Sequence, residues 1–147
     1  MPSVTFYFKI HQPYRLHDYS VDDINVQHSY IDEEATAAMI SKMADECYLP
    51  ANEILLSLLR EHNGKFKVAF SISGVTLEIL EKYRPDAVKS FRQLVRTDNV
   101  EILAETYYNS LSWLHNKKEF EQQVDKHDKI VKKLLGTAPI CFANSLL

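Results

Sequence analysis

The chain has 147 residues, of which 46% are hydrophobic and 25% are charged, and its formal net charge is −3 at pH 7. This composition is typical of a globular domain with a sizeable core, in a chain too short for a complete eight-unit β/α barrel. The slightly acidic balance argues against a nucleic-acid-binding surface. No stretch approaches the roughly 20 apolar residues of a membrane span, and no signal peptide is recognisable. We expect a single domain over residues 1–147, located in the cytoplasm, with neither a nucleic-acid nor a membrane partner.

The two cysteines, Cys47 and Cys141, lie far apart in the sequence, and each has apolar neighbours. Disulfide frameworks and zinc sites need cysteines in closer or repeated spacings. The pattern therefore predicts two buried free thiols in a reducing compartment, without a disulfide bond.

Segments rich in β-branched and aromatic residues alternate with helical patterns along the chain. Helix boundaries are marked by Pro50 and Pro85 as first helical residues, Asn116 as an amino-terminal cap, and Gly64 and Gly136 as carboxyl-terminal caps. Strands are predicted at 4–10, 66–72, 100–103 and 140–142. Four strands separated by helices predict an α/β fold with parallel strands and right-handed crossovers.

Polar residues stand at the carboxyl end of each predicted strand. In parallel α/β folds these ends lie on one rim, where ligands bind. The residues concerned are His11 and Gln12, Ser71 and Ser73, Glu105 and Thr106, and Asn144 and Ser145. Their convergence on one rim is a stronger indication of a binding site than any single residue.

The segment 100–109 carries the most informative part of this pattern. Its apolar strand runs into Glu105, Thr106, Tyr107 and Tyr108 within four residues, and such side chains suit the polar and apolar faces of sugars. A second interpretation stays open, in which Glu105 pairs with a lysine or arginine and the tyrosines only pack. His127 lies on an apolar helical stripe and is interpreted as a core histidine.

Four motifs in the same order resemble the amino-terminal part of glycoside hydrolase family 57, the α-amylase and 4-α-glucanotransferase group. They are YFKIHQP at 7–13, CYLPAN at 47–52, FKVAFSISG at 66–74 and LAETYYNS at 103–110. The resemblance runs along nearly the whole chain. It implies that the chain forms the first half of an incomplete (β/α)7 barrel, with about four strands.

The resemblance also implies a retaining mechanism, in which one carboxylate attacks the sugar and a second carboxyl group protonates the leaving oxygen. In the family pattern the nucleophile is a glutamate after an Asn-Thr pair, and the matching run here is Asn144-Ser145-Leu146. The general acid belongs to a later strand. We therefore expect a truncated chain with no catalytic residue, no metal and no cofactor. The expected substrate-binding residues are His11, Gln12, Glu105, Tyr107 and Asn144.

Three functions remain to be compared. The first is an α-amylase-like glycoside hydrolase by relationship, inactive alone, whose partner is an α-glucan or oligosaccharide. The second is a degenerate, non-catalytic α-glucan-binding protein. Its sugar-stacking aromatic residues would be Tyr14, Tyr107, Tyr108 and Trp113. The third is a metal-dependent carbohydrate deacetylase or zinc mannosidase, which the lack of histidine-ligand spacing disfavours.

A half barrel would leave the edge of its fourth strand unpaired, next to the apolar residues Leu146 and Leu147. We expect this open edge to pair with a second copy of the chain or with a complementing polypeptide.

Overall fold

A computed structural model describes residues 4–24, 29–62 and 64–144 of the chain. Its strands are β1 (Phe6–Ile10), β2 (Val68–Ile72) and β3 (Val100–Ile102). Its α-helices are α1 (Glu33–Met43), α2 (Leu49–Glu61), α3 (Gly74–Tyr83), α4 (Pro85–Val95) and α5 (Lys117–Leu135). Short 3₁₀ turns lie at Val21–Asp23 and Ser112–Leu114. The predicted alternation of strands and helices is confirmed for these elements.

The three strands form a parallel sheet in the order β1-β2-β3. The central strand β2 is apolar at nearly every position, as expected for a strand covered on both faces. Strand β1 lies at the edge, and its first three side chains, Phe6, Tyr7 and Phe8, are exposed. An edge strand with exposed aromatic side chains is a surface that another strand can pair with.

The core lies between one face of the sheet and the helices. Phe70 of β2 packs edge-on against Phe91 of α4 with ring centroids 5.7 Å apart, and Phe91 in turn meets Tyr48 at 5.9 Å. Because strand side chains alternate, Ala69 and Ser71 face the opposite side of the sheet from Phe70. That second face is where the polar side chains of the strands gather.

The predicted fourth strand at 140–142 is reduced to a single parallel bridge between Ala104 and Phe142 in the described part of the chain. The amide of Ala104 donates to the carbonyl of Cys141, and the amide of Ala143 donates to the carbonyl of Ala104, both at 2.8 Å. Ile140 is almost fully exposed, while Phe142 packs against Phe120 of α5 with ring centroids 5.6 Å apart. Ser145 and Leu146, where the nucleophile position was predicted, lie outside the described residues.

The prediction that Pro50 is the first residue of a separate second helix is wrong. Helices α1 and α2 are joined by a π-helical turn, Ala44–Tyr48, and Pro50 is the second residue of α2. A proline within a continuous helix would meet the carbonyl four residues earlier, and the wider π turn relieves this clash. Gly64 lies beyond the helix end, where His62 is the cap residue.

Cys47 and Cys141 are both free thiols, as predicted, but the prediction that they are buried is wrong, because both are exposed. Cys47 lies in the π-helical turn beside Tyr48, whose ring enters the core while Cys47 faces outward. Cys141 lies in the exposed segment around Ile140. Apolar neighbours in sequence therefore did not indicate burial here.

Across the described ranges, no helix is both long enough and apolar enough to cross a membrane.

Helix α5 begins and ends as predicted. The Asn116 side chain accepts a hydrogen bond from the amide of Glu119 at 3.1 Å, and Gly136 ends the helix with a φ of 79°. His127 of this helix is fully buried, which confirms its interpretation as a core residue. Its Nε2 atom donates to the carbonyl oxygen of Ile72 at 2.9 Å. Its Nδ1 atom lies 3.9 Å from Asp128 Oδ1 and has no hydrogen-bond partner among the described residues.

The burial of His127 predicts a pH-dependent loss of stability. Burial lowers the pKa of His127 below its ordinary 6.5, and the Ile72 carbonyl and Asp128 oppose this only in part. Below about pH 6.5 the unfolded chain binds a proton at His127 that the folded chain does not, so the contribution of His127 to the free energy of unfolding falls as pH falls. We expect His127→Gln, which can keep the bond to Ile72, to flatten this decline in urea unfolding between pH 5 and 7. The exposed-histidine variant His115→Gln is the control, and an unchanged pH dependence in His127→Gln would contradict the assignment.

Candidate functional site

The carboxyl ends of the strands are brought together on one rim, as the parallel topology requires. His11 follows Ile10, the last residue of β1, and Ser73 follows β2, with the Ser73 amide donating to the Ile10 carbonyl at 3.1 Å. Glu105 lies three residues beyond β3. The bridge at Phe142 places Asn144 just beyond the same end of the sheet.

His11 and Gln12 are held by a chain of hydroxyl groups at the start of α3. The Nδ1 atom of His11 lies 2.8 Å from the Ser73 hydroxyl, which lies 2.8 Å from the Thr76 hydroxyl. The Gln12 amide donates to that Thr76 oxygen at 2.7 Å. Ser73 is the amino-terminal cap residue of α3, but its hydroxyl bonds these side chains instead of the helix backbone.

This network orients the His11 ring and keeps it neutral. Burial lowers the pKa of His11, and the positive charge of Lys9 lowers it further. The Nδ1 atom is occupied by Ser73, and the residue as a whole is half-buried. A neutral imidazole with its Nδ1 atom fixed can offer Nε2 as a hydrogen-bonding group to a neutral polar ligand.

Glu105 is the most unusual group on the rim. Its side chain is 0% exposed, and within the described ranges neither carboxylate oxygen has a hydrogen-bond partner. The buried Ser71 hydroxyl lies close enough to favour the charged form of Glu105, but the two groups do not meet the geometry of a hydrogen bond. Buried polar groups in folded proteins are nearly always bonded, so an unsatisfied carboxylate indicates a position held ready for a ligand or a proton.

Burial raises the pKa of Glu105 from 4.5 to about 7. The Ser71 hydroxyl and the positive charge of Lys9 oppose this rise but do not cancel it. At neutral pH the carboxyl group therefore exists in comparable amounts as an acid and as a carboxylate. Such a group can both donate and accept hydrogen bonds, which suits the hydroxyl groups of a sugar.

Tyr107 is fixed by its surroundings. Its side chain is 2% exposed, and its ring fills the space above Gly74, where an added Cβ atom would lie 2.2 Å from the ring. The amide of Val75 donates to the Tyr107 carbonyl at 3.1 Å. Any role of Tyr107 in sugar binding must therefore run through the position of its loop, because its ring face is covered.

Glu78 of α3 is a site residue that the sequence analysis missed. Each of its carboxylate oxygens accepts from a different tyrosine, Tyr14 at 2.9 Å and Tyr107 at 2.5 Å. These partners are 64 and 29 residues away in the sequence. The local sequence of α3 shows only that Glu78 lies on a helix. No local pattern could therefore have identified Glu78 as a site residue.

Two aromatic side chains near the rim remain accessible. Tyr108 is 49% exposed and Trp113 is 48% exposed. The ammonium group of Lys126 donates to the Tyr108 hydroxyl at 2.7 Å and lies 3.7 Å from the centroid of the Tyr107 ring. Exposed rings held by such contacts can stack on the apolar faces of sugar rings.

Asn109 is a second polar group near Glu105 with an unsatisfied atom. Its Oδ1 atom is buried and has no hydrogen-bond partner among the described residues, and its φ is 53°. Asparagine is one of the few residues that adopt this left-handed conformation readily.

Throughout residues 4–24, 29–62 and 64–144, no three His, Cys, Asp or Glu side chains are grouped as metal ligands.

Substituting Glu105 by glutamine tests whether the buried acid destabilises the fold. The folded chain binds the Glu105 proton more tightly than the unfolded chain, so the contribution of Glu105 to the free energy of unfolding falls as pH rises from about 4.5 to about 7. At about 1.4 kcal/mol per pKa unit, the full change is about 3 kcal/mol. We expect Glu105→Gln to remove this decline, so that its stability relative to the parent chain increases between pH 5 and pH 8 in urea unfolding.

The control for this measurement is Glu34→Gln, which removes one exposed carboxylate from α1. A change of stability in Glu105→Gln that is equal at pH 5 and pH 8 would show that the pKa of Glu105 is not raised in the folded chain.

The chain is similar to known proteins in sequence and in fold. Residues 5–145 match the family model "Glycosyl hydrolase family 57". The chain is 35% identical over 146 residues to a protein of Methanocaldococcus jannaschii named "Putative alpha-amylase", covering 98% of this chain and 31% of that protein. It is 32% identical over 108 residues to an alpha-amylase of Pyrococcus abyssi, covering 74% of this chain and 13% of that protein. The chain thus spans about a third or less of these relatives.

Two solved structures share the fold. The 4-alpha-glucanotransferase of Thermococcus litoralis superposes with a TM-score of 0.65 at 21% identity, over 92% of this chain and 18% of that one. A GH57-type branching enzyme of Pyrococcus horikoshii superposes with a TM-score of 0.55 at 18% identity, over 92% of this chain and 33% of that one. The family model covers nearly every residue, and the first relative is similar along the same length, so the chain belongs to glycosyl hydrolase family 57.

Proposed function

We propose that this chain binds α-glucans through the rim at the carboxyl ends of its strands and does not hydrolyse them by itself. The ligand class rests on the family and on the names of its relatives, which are alpha-amylase and 4-alpha-glucanotransferase. The observation that carries the proposal is Glu105, a fully buried carboxyl group on this rim whose oxygens have no partner in the described part of the chain.

The environment of Glu105 supports binding over catalysis. A retaining glycosidase has two carboxyl groups about 5 Å apart, and each would raise the pKa of the other by repulsion. For Glu105, the contributions are burial, the Ser71 hydroxyl and Lys9, and none of them is a second carboxyl group. The lack of a second carboxyl group among these contributions supports the proposal that Glu105 is not one of a catalytic pair, as does Leu146, which stands where the family pattern has its nucleophile.

The direct sugar contacts in this proposal come from several strand ends. His11, Gln12, Glu105 and Asn144 offer polar groups, while the exposed rings of Tyr108 and Trp113 offer stacking surfaces. Tyr107 contributes by holding the loop, since its own ring is covered. A metal-dependent deacetylase is not proposed, because no observation favours it.

We also propose that residues 1–147 form the first half of an incomplete (β/α)7 barrel. In this barrel, residues 140–142 form the fourth strand. The parallel bridge at Phe142 supports this position. We propose that the open edge of this fourth strand pairs with a second copy or with a complementing polypeptide. Light scattering of the purified chain, alone and with a polypeptide covering the remaining part of a family relative, tests this pairing.

Calorimetric titration of the chain with maltoheptaose tests the proposed function, together with a starch-hydrolysis assay on the same sample. We expect binding without turnover, and Tyr108→Ala should weaken binding roughly 5–10-fold, since one stacking contact is worth about 1 kcal/mol. The matched control is Phe6→Ala, because Phe6 is also 49% exposed but lies at the opposite end of β1 from His11.

Two results would contradict the proposal. Absence of maltoheptaose binding by the folded parent chain would remove the binding function. Starch hydrolysis that survives purification and disappears in Glu105→Gln would make Glu105 a catalytic group instead.

A further inference from the structure

Glu78 links two loops of the rim that are far apart in the sequence. Tyr14 follows β1 by four residues and donates its hydroxyl hydrogen to Glu78 Oε1 at 2.9 Å. Tyr107 stands two residues after Glu105 and donates to Glu78 Oε2 at 2.5 Å. One carboxylate therefore holds the loop that carries His11 and the loop that carries Glu105.

The two bonds are of the strong kind. Hydroxyl groups that donate to a carboxylate make short bonds, about twice as strong as bonds between neutral groups. The pKa of Tyr14 is raised to about 12, first by burial and then by the bond to Glu78 and the charge of Glu78. The pKa of Tyr107 is raised by the same causes, with burial first. Both phenols therefore stay protonated and remain donors at neutral pH.

Further contacts fix the Tyr107 end of this arrangement. Its ring packs directly on the backbone at Gly74, and its carbonyl accepts from the Val75 amide. The Lys126 ammonium of α5 covers the ring at 3.7 Å. Residues of α3 hold Tyr107 at its hydroxyl, its ring and its backbone. Because Tyr107 is only two residues from Glu105, a displacement of Tyr107 after a change at Glu78 also displaces Glu105.

We propose that Glu78 is a positioning residue of the α-glucan site, which holds the His11 and Glu105 loops in register through Tyr14 and Tyr107. The inference rests on the proposed function. Glu78 itself has no sugar contact in this account, because both of its oxygens are occupied by tyrosines. Loss of its charge leaves an amide that can accept from only one tyrosine and presents a donor to the other.

The test compares Glu78→Gln with the control Glu81→Gln, which removes a surface ion pair between Glu81 and Lys133 on the same helix. Maltoheptaose affinity is measured well below the melting temperature, with amide hydrogen exchange on the same variants. We expect Glu78→Gln to bind roughly tenfold more weakly and to exchange faster only in segments 11–16 and 104–110. Glu81→Gln should match the parent chain in both.

A double-mutant cycle separates positioning from direct contact. If Tyr107 acts through Glu78, then Tyr107→Phe should weaken binding in the parent chain but add little in Glu78→Gln. Additive losses would show that Tyr107 contacts the sugar independently, which would overturn the inference. Should Glu78→Gln not fold, Tyr14→Phe and Tyr107→Phe and their double variant test the same path, because each removes one bond to Glu78.

The failure of this inference can be told apart from the failure of the proposed function. No binding by the folded parent chain would overturn the proposed function and the inference with it. Binding by the parent chain that is undiminished in Glu78→Gln and in Tyr107→Phe would overturn the positioning role alone.

Discussion

The structure of the rim depends on one unfavourable interaction, the burial of the Glu105 carboxyl group where its oxygens have no hydrogen-bond partner among the described residues. Removing a carboxylate from water without pairing it is unfavourable. Burial therefore raises the pKa of Glu105 to about 7. The group persists because the elements around it are well packed, with β2 almost fully buried and α3 anchored beneath it. Unsatisfied, destabilising groups of this kind gather at functional sites, where a ligand supplies the missing hydrogen bonds.

The first turns of α3 connect this group to the rest of the rim. Ser73 and Thr76 hold the backbone and side chain of the first strand end, while Gly74 leaves room for the Tyr107 ring. Glu78, one turn further, ties both loops together. The start of α3 thus acts as the common support of the polar groups that the parallel sheet brings to one edge.

The periodic features of the sequence predicted the fold well, because they report burial along one element at a time. The Asn116 and Gly136 caps, the buried His127 and the apolar β2 were all foreseeable from local patterns. Predictions that depended on surroundings were less successful. Cys47 and Cys141 have apolar sequence neighbours yet are exposed, and Pro50 is accommodated by a π-helical turn. The role of Glu78 arises only from partners 64 and 29 residues away, so no single-sequence pattern records it.

The most direct test of this account is the pKa of Glu105, followed by carboxyl ¹³C NMR and assigned by comparison with Glu105→Gln. We predict titration near pH 7 in the free protein. Saturation with maltoheptaose should lower this pKa, because sugar hydroxyl groups that donate to the carboxylate stabilise its charged form. Titration near the ordinary value of 4.5, or a pKa that glucan leaves unchanged, would contradict the claim that this buried group is held ready for a sugar.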